Sequence, residues 1–536
     1  MVLCPTSWLG WLIVRTVLHS RRVPSIDLGL ETPSTHTLAR RSSLSASAAT
    51  ASHPTTAPSG SPARRWWVLV VLAMTQLIVV LDGTIVNIAL PAAQQELELS
   101  DTQRQWVVTA YALAFGALLL LGGRIADYWG RKRTYLVGMV GFGAASAFGG
   151  FAQSGTELIV ARGLQGVFAA LMAPAALALL TVTFAHGRDR NTAFAVFGTV
   201  AGAGAAVGLI LGGVLTEFVD WRWCLLVNVP FVIVGLIAGL ILVTESKAEG
   251  DNRYDWLGAI TVILGLGSLV YGFTLAEGGW GSADTIGFLA LGAGLLSLFV
   301  FIEMRVAQPL LPLRIVADRV RGGAFLMQMI VGSVMIGALL YLTFHLQIVL
   351  GFPPLEAGIA TLPMTVAIMI VAPIATKLLP AIGPRPLLIV GPLIAAAALV
   401  YLSRITADGD YFVQVLPALL VLGIGMAMIF VPMQNLALTG VAPHDAGAAS
   451  ATANASMQIG GSIGLSVFTT VYASVTDQAT VTDQASQLVA FTQGYSAAFI
   501  AAAVGLVIAS VIAIVCIRGR KEDLLPSGDQ QAVHLG

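Results

Sequence analysis

The sequence predicts an all-α integral membrane protein with fourteen transmembrane helices, arranged as two six-helix bundles plus two extra central helices. Three observations carry this. The 536-residue chain is 57% hydrophobic and only 10% charged, whereas a soluble domain carries about 25% charge. From Trp66 onward, apolar runs alternate with short polar loops. The basic residues gather in alternate loops.

The runs lie at roughly 66–90, 105–124, 134–153, 158–182, 191–215, 222–243, 255–275, 285–304, 322–349, 356–379, 386–403, 411–433, 447–473 and 495–517. Each is near the ~20 residues that cross ~30 Å of hydrocarbon as a helix. Backbone groups in lipid must pair internally, so these runs are helices and not loops. With a cytoplasmic amino terminus, nineteen Lys and Arg fall in inside loops and tails, from Arg64 and Arg65 to Lys521. Only Arg104, Arg222 and Arg404 fall in outside loops. That asymmetry is the positive-inside signal, and it places both termini in the cytoplasm.

A faint repeat supports two halves. "GGRIADYWGRKRTYLVG" surrounds Arg124 and "ATKLLPAIGPRPLLIVG" surrounds Lys377. A glycine follows the basic residue by six positions in each (Gly130, Gly383) and another by fourteen (Gly138, Gly391). Secondary transporters are often built from such repeats. The expected division is a tail at 1–63, a six-helix bundle at 64–250, two linker helices with flanking loops at 251–320, a second bundle at 321–520 and a cytoplasmic tail at 521–536. Residues 1–63 are rich in Ser, Thr, Pro and Arg, the composition of a disordered tail, of an upstream start codon or of a transit peptide.

Several functions are excluded or disfavoured. Formal net charge is zero, so no basic surface for nucleic acid is expected. Cys4, Cys224 and Cys516 have no metal-ligand or redox spacing. No lysine follows a glycine, so the phosphate-binding GxxxxGK[ST] loop cannot occur, which excludes a nucleotide-driven pump as a single chain, and no nucleotide partner is expected. No zinc-ligand cluster stands out, and no enzymatic activity, metal or cofactor is expected.

Charged and small residues inside the spans carry the functional reading. "LDGTIVNIALP", residues 81–91, holds Asp82, the one carboxylate well inside a predicted span. A charge there costs at least ~2.5–3.5 kcal/mol on insertion scales, and protonation relieves it. A carboxyl that takes a proton on one side and releases it on the other can couple solute movement to a proton gradient; the bland alternative is a paired Asp that only fixes helix contacts. Arg162, in "LIVARGLQGVFAA" (158–170), lies at comparable depth, so an Asp82–Arg162 pair is geometrically possible. Snorkelling of Arg162 to the surface is the alternative. In "GRIADYWGRKR" (123–133), Asp127 ends a helix, where the dipole disfavours an anion. It needs a partner, either Arg131 or the N-terminus of a neighbouring helix. Gly204, Gly208 and Gly212, with Gly213, form one smooth helical face in "GTVAGAGAAVGLILGG" (198–213), which lets another helix approach closely.

These stretches together, on fourteen spans, resemble the major facilitator superfamily, specifically its fourteen-helix drug:proton antiporter branch (EmrB/QacA type), over residues 66 to 520. Gly123, Ala126, Asp127, Gly130, Arg131 and Lys132 match the family's loop motif. Ile125 replaces the usual Leu and Tyr128 the usual Arg. Leu158, Arg162, Gln165, Gly166, Ala169 and Ala170 match the fourth-helix pattern, and "DWRWCLLVNVP" (220–230) resembles the opening of the sixth helix. The resemblance implies a conformational latch at Gly123, Asp127, Gly130, Arg131 and Lys132. It also implies an antiporter glycine ridge at Gly204, Gly208, Gly212 and Gly213, although Leu209 stands where the family usually has proline. A plain orientation signal and ordinary tight packing are the respective alternatives.

The expected function is a proton-coupled efflux transporter. It exports amphipathic or cationic drugs or antibiotics across the cytoplasmic membrane by alternating access of two halves around a midplane cavity. Its expected partners are a small-molecule substrate, protons and the bilayer, and it is expected to act as a monomer. Asp82 and Arg162 are the proton-coupling candidates, with His345 as a second one, since a buried His can titrate near neutral pH. Asn87, Gln165, Gln328, Gln347, Asn435, Asn454 and Gln458 are cavity candidates, although such groups often only bridge helices. A second reading keeps the fold and exports one endogenous metabolite, lipid or siderophore. A third is a non-transporting membrane receptor or scaffold.

Overall fold

The computed structural model describes residues 62–184, 187–247, 255–276, 279–441, 445–480, 482–519 and 524. The expected tails at 1–63 and 521–536 fall almost wholly outside these residues.

Among the described residues fourteen long helices follow one another: α1 (Pro62–Glu96), α2 (Asp101–Trp129), α3 (Arg131–Gly150), α4 (Gly155–Thr183), α5 (Arg188–Phe218), α6 (Trp223–Leu242), α7 (Trp256–Leu275), α8 (Ala283–Glu303), α9 (Arg319–Val349), α10 (Pro354–Ile382), α11 (Pro384–Leu402), α12 (Tyr411–Leu438), α13 (Ala446–Thr476) and α14 (Gln484–Cys516). Thirteen are long and apolar enough to cross a membrane. The other, α3, begins on three basic residues and is rich in glycine, but its twenty residues fill the expected place. Side-chain caps start several helices. Ser100 caps α2, with Gln103 completing the capping box, Ser154 caps α4, and Asp483 caps α14 with Ser486. Each satisfies N–H groups that have no partner within the helix.

Most helices run past the ends expected from hydropathy. The α1 helix continues through Pro91 to Glu96, because proline removes one backbone donor and the turns around it still close. A second correction concerns Arg104. The charge pattern puts it in a loop, whereas it lies in the first turn of α2 and is buried. Polar residues at a helix start can cap or turn inward, so a hydropathy window excludes them from the span.

The faint repeat is a repeat in space. Gly130 (φ 130°) joins α2 to α3, and Gly383 (φ 78°) joins α10 to α11. Both adopt positive φ, the region glycine enters without steric cost. Gly138 packs on Met172 of α4, and Gly391 packs on Met428 and Gly425 of α12. The packing partners repeat as well. In the first half α1 packs on α5, α4 sits between α2 and α3, and α6 lies against α3 and α1. In the second, α9 packs on α13, α12 sits between α10 and α11, and α14 lies against α11 and α9. The halves join reciprocally, α2 on α13 and α5 on α10. Linker helices α7 and α8 pack on each other, and α7 lies against α2 and α13.

Basic side chains finish helix ends in both halves. Arg64 Nε donates to Leu242 O (3.2 Å) and Lys132 Nζ to Leu240 O (2.8 Å), at the end of α6. Arg319 Nη2 donates to Val515 O (2.6 Å) and Arg385 Nη2 to Ile514 O (3.3 Å), at the end of α14. Cations there pair with carbonyls the helix leaves free and suit its dipole. Toward the other end, that of Glu96, polar bonds bridge the halves. Gln105 Nε2 donates to Ser466 Oγ (2.6 Å), Gln347 Nε2 to Ile88 O (2.9 Å) and Leu355 N to Glu217 Oε2 (3.0 Å).

Candidate functional site: a buried carboxylate between four helices

Asp82 lies fourteen residues before Glu96 on α1, roughly 21 Å along the helix at 1.5 Å per residue. Its side chain is 0% exposed. Lipid or packed protein cannot solvate a carboxylate at that depth, so its partners must come from neighbouring helices.

Three side chains converge on it. Arg162 Nη1, from α4, reaches Asp82 Oδ2 at 2.6 Å. Gln165 Nε2, one turn further along α4, reaches Oδ1 at 2.9 Å. Asn228 Nδ2, from α6, reaches the same Oδ1 at 2.8 Å. Ser146 Oγ of α3 holds Gln165 Nε2 from behind at 2.8 Å. Arg162 also donates to Gln165 Oε1 (2.9 Å) and to Val107 O of α2 (3.2 Å), and its guanidinium lies 4.4 Å from the centre of the Tyr111 ring. All three contacts to Asp82 are donors, so the cluster complements a carboxylate and not a carboxylic acid. Arg162 already touches two other acceptors, which would hold it if Asp82 were protonated.

The Asp82–Arg162 contact that the matched depths allow is therefore present, and Arg162 points inward instead of snorkelling. Gln165, expected in a cavity, belongs to this cluster. Asn228 and Ser146 were not singled out from sequence. Asn228 stands in the "DWRWCLLVNVP" stretch, and its place opening the sixth helix was the available signal. Ser146 had none. His345 lies elsewhere, at the start of a π-helical turn in α9, edge-on to Tyr495 with ring centres 6.3 Å apart. Neither imidazole nitrogen has a hydrogen-bond partner among the described residues.

The glycine ridge packs on the helix that carries Asp82. A Cβ on Gly204 would touch Leu77 and Val80 (3.2 and 3.3 Å), one on Gly208 would run into Thr84 Oγ1, and one on Gly212 would press on Ile85 (3.0 Å). Gly213 faces the other half, where a Cβ would overlap Leu355 of α10. With Leu209 where the family pattern has proline, α5 runs as one helix.

At the basic end, Asp127 Oδ1 accepts from Arg131 Nη2 (2.8 Å) and Nε (3.0 Å). Of its two possible partners, the sequence neighbour serves. The N-terminus of α3 takes a different anion, Glu245, whose carboxylate accepts from Lys132 N (3.0 Å) and Arg133 N (3.2 Å). A Cβ on Gly130 would lie 2.8 Å from that carboxylate. Glu245 lies more than a hundred residues from the motif, and sequence reasoning missed it. Gly123 has room, with Pro174 Cβ 3.7 Å from an added Cβ.

The cavity candidates differ in their surroundings. Asn87 and Asn435 are buried, Gln347 bridges to α1, and Asn454 Nδ2 donates to Ser450 O of its own helix (3.1 Å). Gln458 packs against Gly116 in the α2–α13 seam. Gln328 is fully buried, and neither of its amide atoms has a partner among the described residues. No group of three or more His, Cys, Asp and Glu among those residues could hold a metal ion.

Fourteen helices among the described residues, in two repeated halves joined by reciprocal seams, with a buried ion pair inside the first half, define a polytopic membrane transporter. The profile of the Major Facilitator Superfamily matches residues 72–465, and the chain belongs to that family. It is 45% identical over 470 residues to a puromycin resistance protein of Streptomyces alboniger, covering 86% of this chain and 93% of that one. It is 36% identical to a tetracenomycin C resistance and export protein of Streptomyces glaucescens, covering 78% of each. Among solved structures, a bacterial homologue of the human lysosomal transporter Spinster aligns with a TM-score of 0.61 over 88% of this chain and all of that one. At 16% identity that likeness concerns the fold alone.

Proposed function

We propose that this chain is a proton-coupled exporter of amphipathic or cationic drugs or antibiotics. The observation that carries the reading is Asp82, buried at mid-helix and held by Arg162, Gln165 and Asn228 from two other helices. The relatives named for puromycin resistance and for tetracenomycin C resistance and export support the substrate class. In this reading the basic end faces the cytoplasm, in accord with the positive-inside rule, so both termini are cytoplasmic and the protein sits in the cytoplasmic membrane. Residues 64–250 and 321–520 rock against each other, with 251–320 between them. The transporter acts as a monomer, performs no covalent chemistry and needs no cofactor beyond the proton gradient.

A proton arriving on Asp82 displaces two of its three donors, Arg162 and Asn228. Arg162 then rests on Gln165 Oε1 and Val107 O, which it already contacts. Asn228 can turn its amide and present Oδ1, which has no partner among the described residues, to the new O–H. Freed from its ion pair, α1 can shift along the smooth glycine face of α5, and α5 carries the change to the seam, where Gly213 packs on Leu355 of α10.

Everted vesicles with an imposed pH gradient test this. A panel of lipophilic cations and antibiotics should cause substrate-dependent proton release in wild type and none in Asp82→Asn. Equal release by the mutant would remove Asp82 from the mechanism, and none from either would count against antiport. A second reading, one dedicated natural product instead of many drugs, is favoured by relatives each named for a single compound. Protection against one compound class only would select it.

A further inference from the structure

Arg104 opens α2 in the first half, yet its charge rests on rings of the second. Its guanidinium carbon lies 4.5 Å from the centre of the Phe344 ring (α9) and 5.6 Å from that of Tyr472 (α13). Tyr472 stacks on Tyr495 of α14, with centres 5.5 Å apart and planes at 15°. Tyr341 of α9 stacks against Tyr472 at 5.6 Å and lies 5.7 Å from Tyr495. Tyr341 is pinned by its hydroxyl at Thr469 Oγ1 (2.9 Å), and His345 closes the back of the cluster against Tyr495. Phe344, Tyr341, Tyr472 and Tyr495 are each no more than 2% exposed. Arg104 is tied to its own half by Asp101 Oδ1 (2.9 Å) and Gln94 Oε1 (3.4 Å), and it also hydrogen-bonds the Tyr472 side chain across the seam.

The cation and its anionic partner belong to one half, and the aromatic cage belongs to the other. If the halves separate at the Glu96 end, Arg104 leaves with Asp101 and Gln94, and the Phe344 and Tyr472 rings lose the charge they contact. Grouped aromatic faces attract any organic cation, because each ring carries negative density on its face. We propose that the aromatic cage formed by Phe344 and Tyr472, with Tyr341 and Tyr495 stacked behind Tyr472, is a binding site for the cationic group of an exported solute, such as a quaternary ammonium, phosphonium or guanidinium. Arg104 fills it in the present conformation as a tethered competitor, and it opens when the halves part. This inference rests on the alternating-access reading above. It adds a site near the Glu96 end where a cation can pause on its way out, and from which returning Arg104 expels it.

The test uses the full chain in lipid nanodiscs at neutral pH, with tetraphenylphosphonium as probe and neutral triphenylphosphine oxide as control. Arg104→Gln empties the cage, and equilibrium binding of the phosphonium should tighten at least tenfold over wild type. Arg104→Lys retains a tethered cation and should bind as wild type does. Adding Tyr472→Leu to Arg104→Gln should abolish the gain, and the neutral control should not change. Binding no tighter in Arg104→Gln, or a gain that survives Tyr472→Leu, overturns the proposal.

A second measurement does not depend on the buried arginine being replaceable. Spin labels at the exposed Ser100 and Gln478 should report longer distances when wild type is saturated with phosphonium. A ligand that prefers the separated state must shift the population toward it. No shift in wild type, or an equal shift in Tyr472→Leu, also overturns the proposal. The outcome is separable from that of the vesicle assay. Phosphonium binding to the cage without any proton release would sink proton-driven export and leave the cage standing; proton release without cage-dependent binding would do the reverse.

Discussion

Asp82 and Arg162 are eighty residues apart in sequence and 2.6 Å apart in space. Both are withdrawn from solvent, at 0% and 2% exposure. Such a pair offsets a large desolvation cost only while both members and their further hydrogen bonds are present. Asp82→Asn leaves the Arg162 charge without a counter-ion and should lower stability by about 3–5 kcal/mol, the usual cost of breaking a buried pair from one side. The double variant Asp82→Asn/Arg162→Met should recover much of that loss. Thermal unfolding in detergent gives both values. Transport driven by a pH gradient should stay at background in both variants, and recovery of transport with stability would make the pair purely structural.

The glycine ridge allows a paired comparison. Gly208→Ala pushes a methyl group into Thr84 Oγ1, beside the carbonyl of Leu81. It should cost roughly 1–3 kcal/mol through overpacking and slow export by holding α5 away from α1. Gly202→Ala, on the same helix with nothing within 4 Å of its Cβ, should be neutral or stabilising by about 0.5–1 kcal/mol. Equal effects from the two would mean that the ridge has no close-packing role.

At the basic end, Glu245→Gln removes the anion that caps α3. The expected loss is about 0.3–1 kcal/mol, and it should shrink in high salt. Gly130→Ala should be worse, because the residue sits at φ 130° with the Glu245 carboxylate 2.8 Å from the added carbon. Combining the two changes should show less than additive loss, since part of the Gly130→Ala cost is that contact. Denaturation midpoints of the four proteins measure the coupling.

Gly213 sits in the seam between the halves, and a side chain there overlaps Leu355 of α10. Gly213→Val should wedge the seam open near the Glu96 end. Spin labels at Ser100 and Gln478 should report a longer mean distance in this variant without any ligand. An unchanged distribution would mean that the seam yields elsewhere and does not control that end.

Much of this molecule was legible in the chain. The span count, the two halves and the basic end followed from local properties, because a helix in lipid is set by its own hydropathy and closes its own backbone bonds. The pairing of Asp82 with Arg162 was accessible because each lone charge in a span had few possible partners. What stayed hidden depends on helix rotation and on contacts across long separations. Asn228 meets Asp82 only because α6 packs on α1, Glu245 reaches α3 across 113 positions, and Arg104 turns inward onto rings of the other half. A hydropathy pattern scores each residue by its neighbours along the chain and carries no information about which face of one helix meets which face of another. Tertiary packing made that choice, and it decided where each buried charge found its partner.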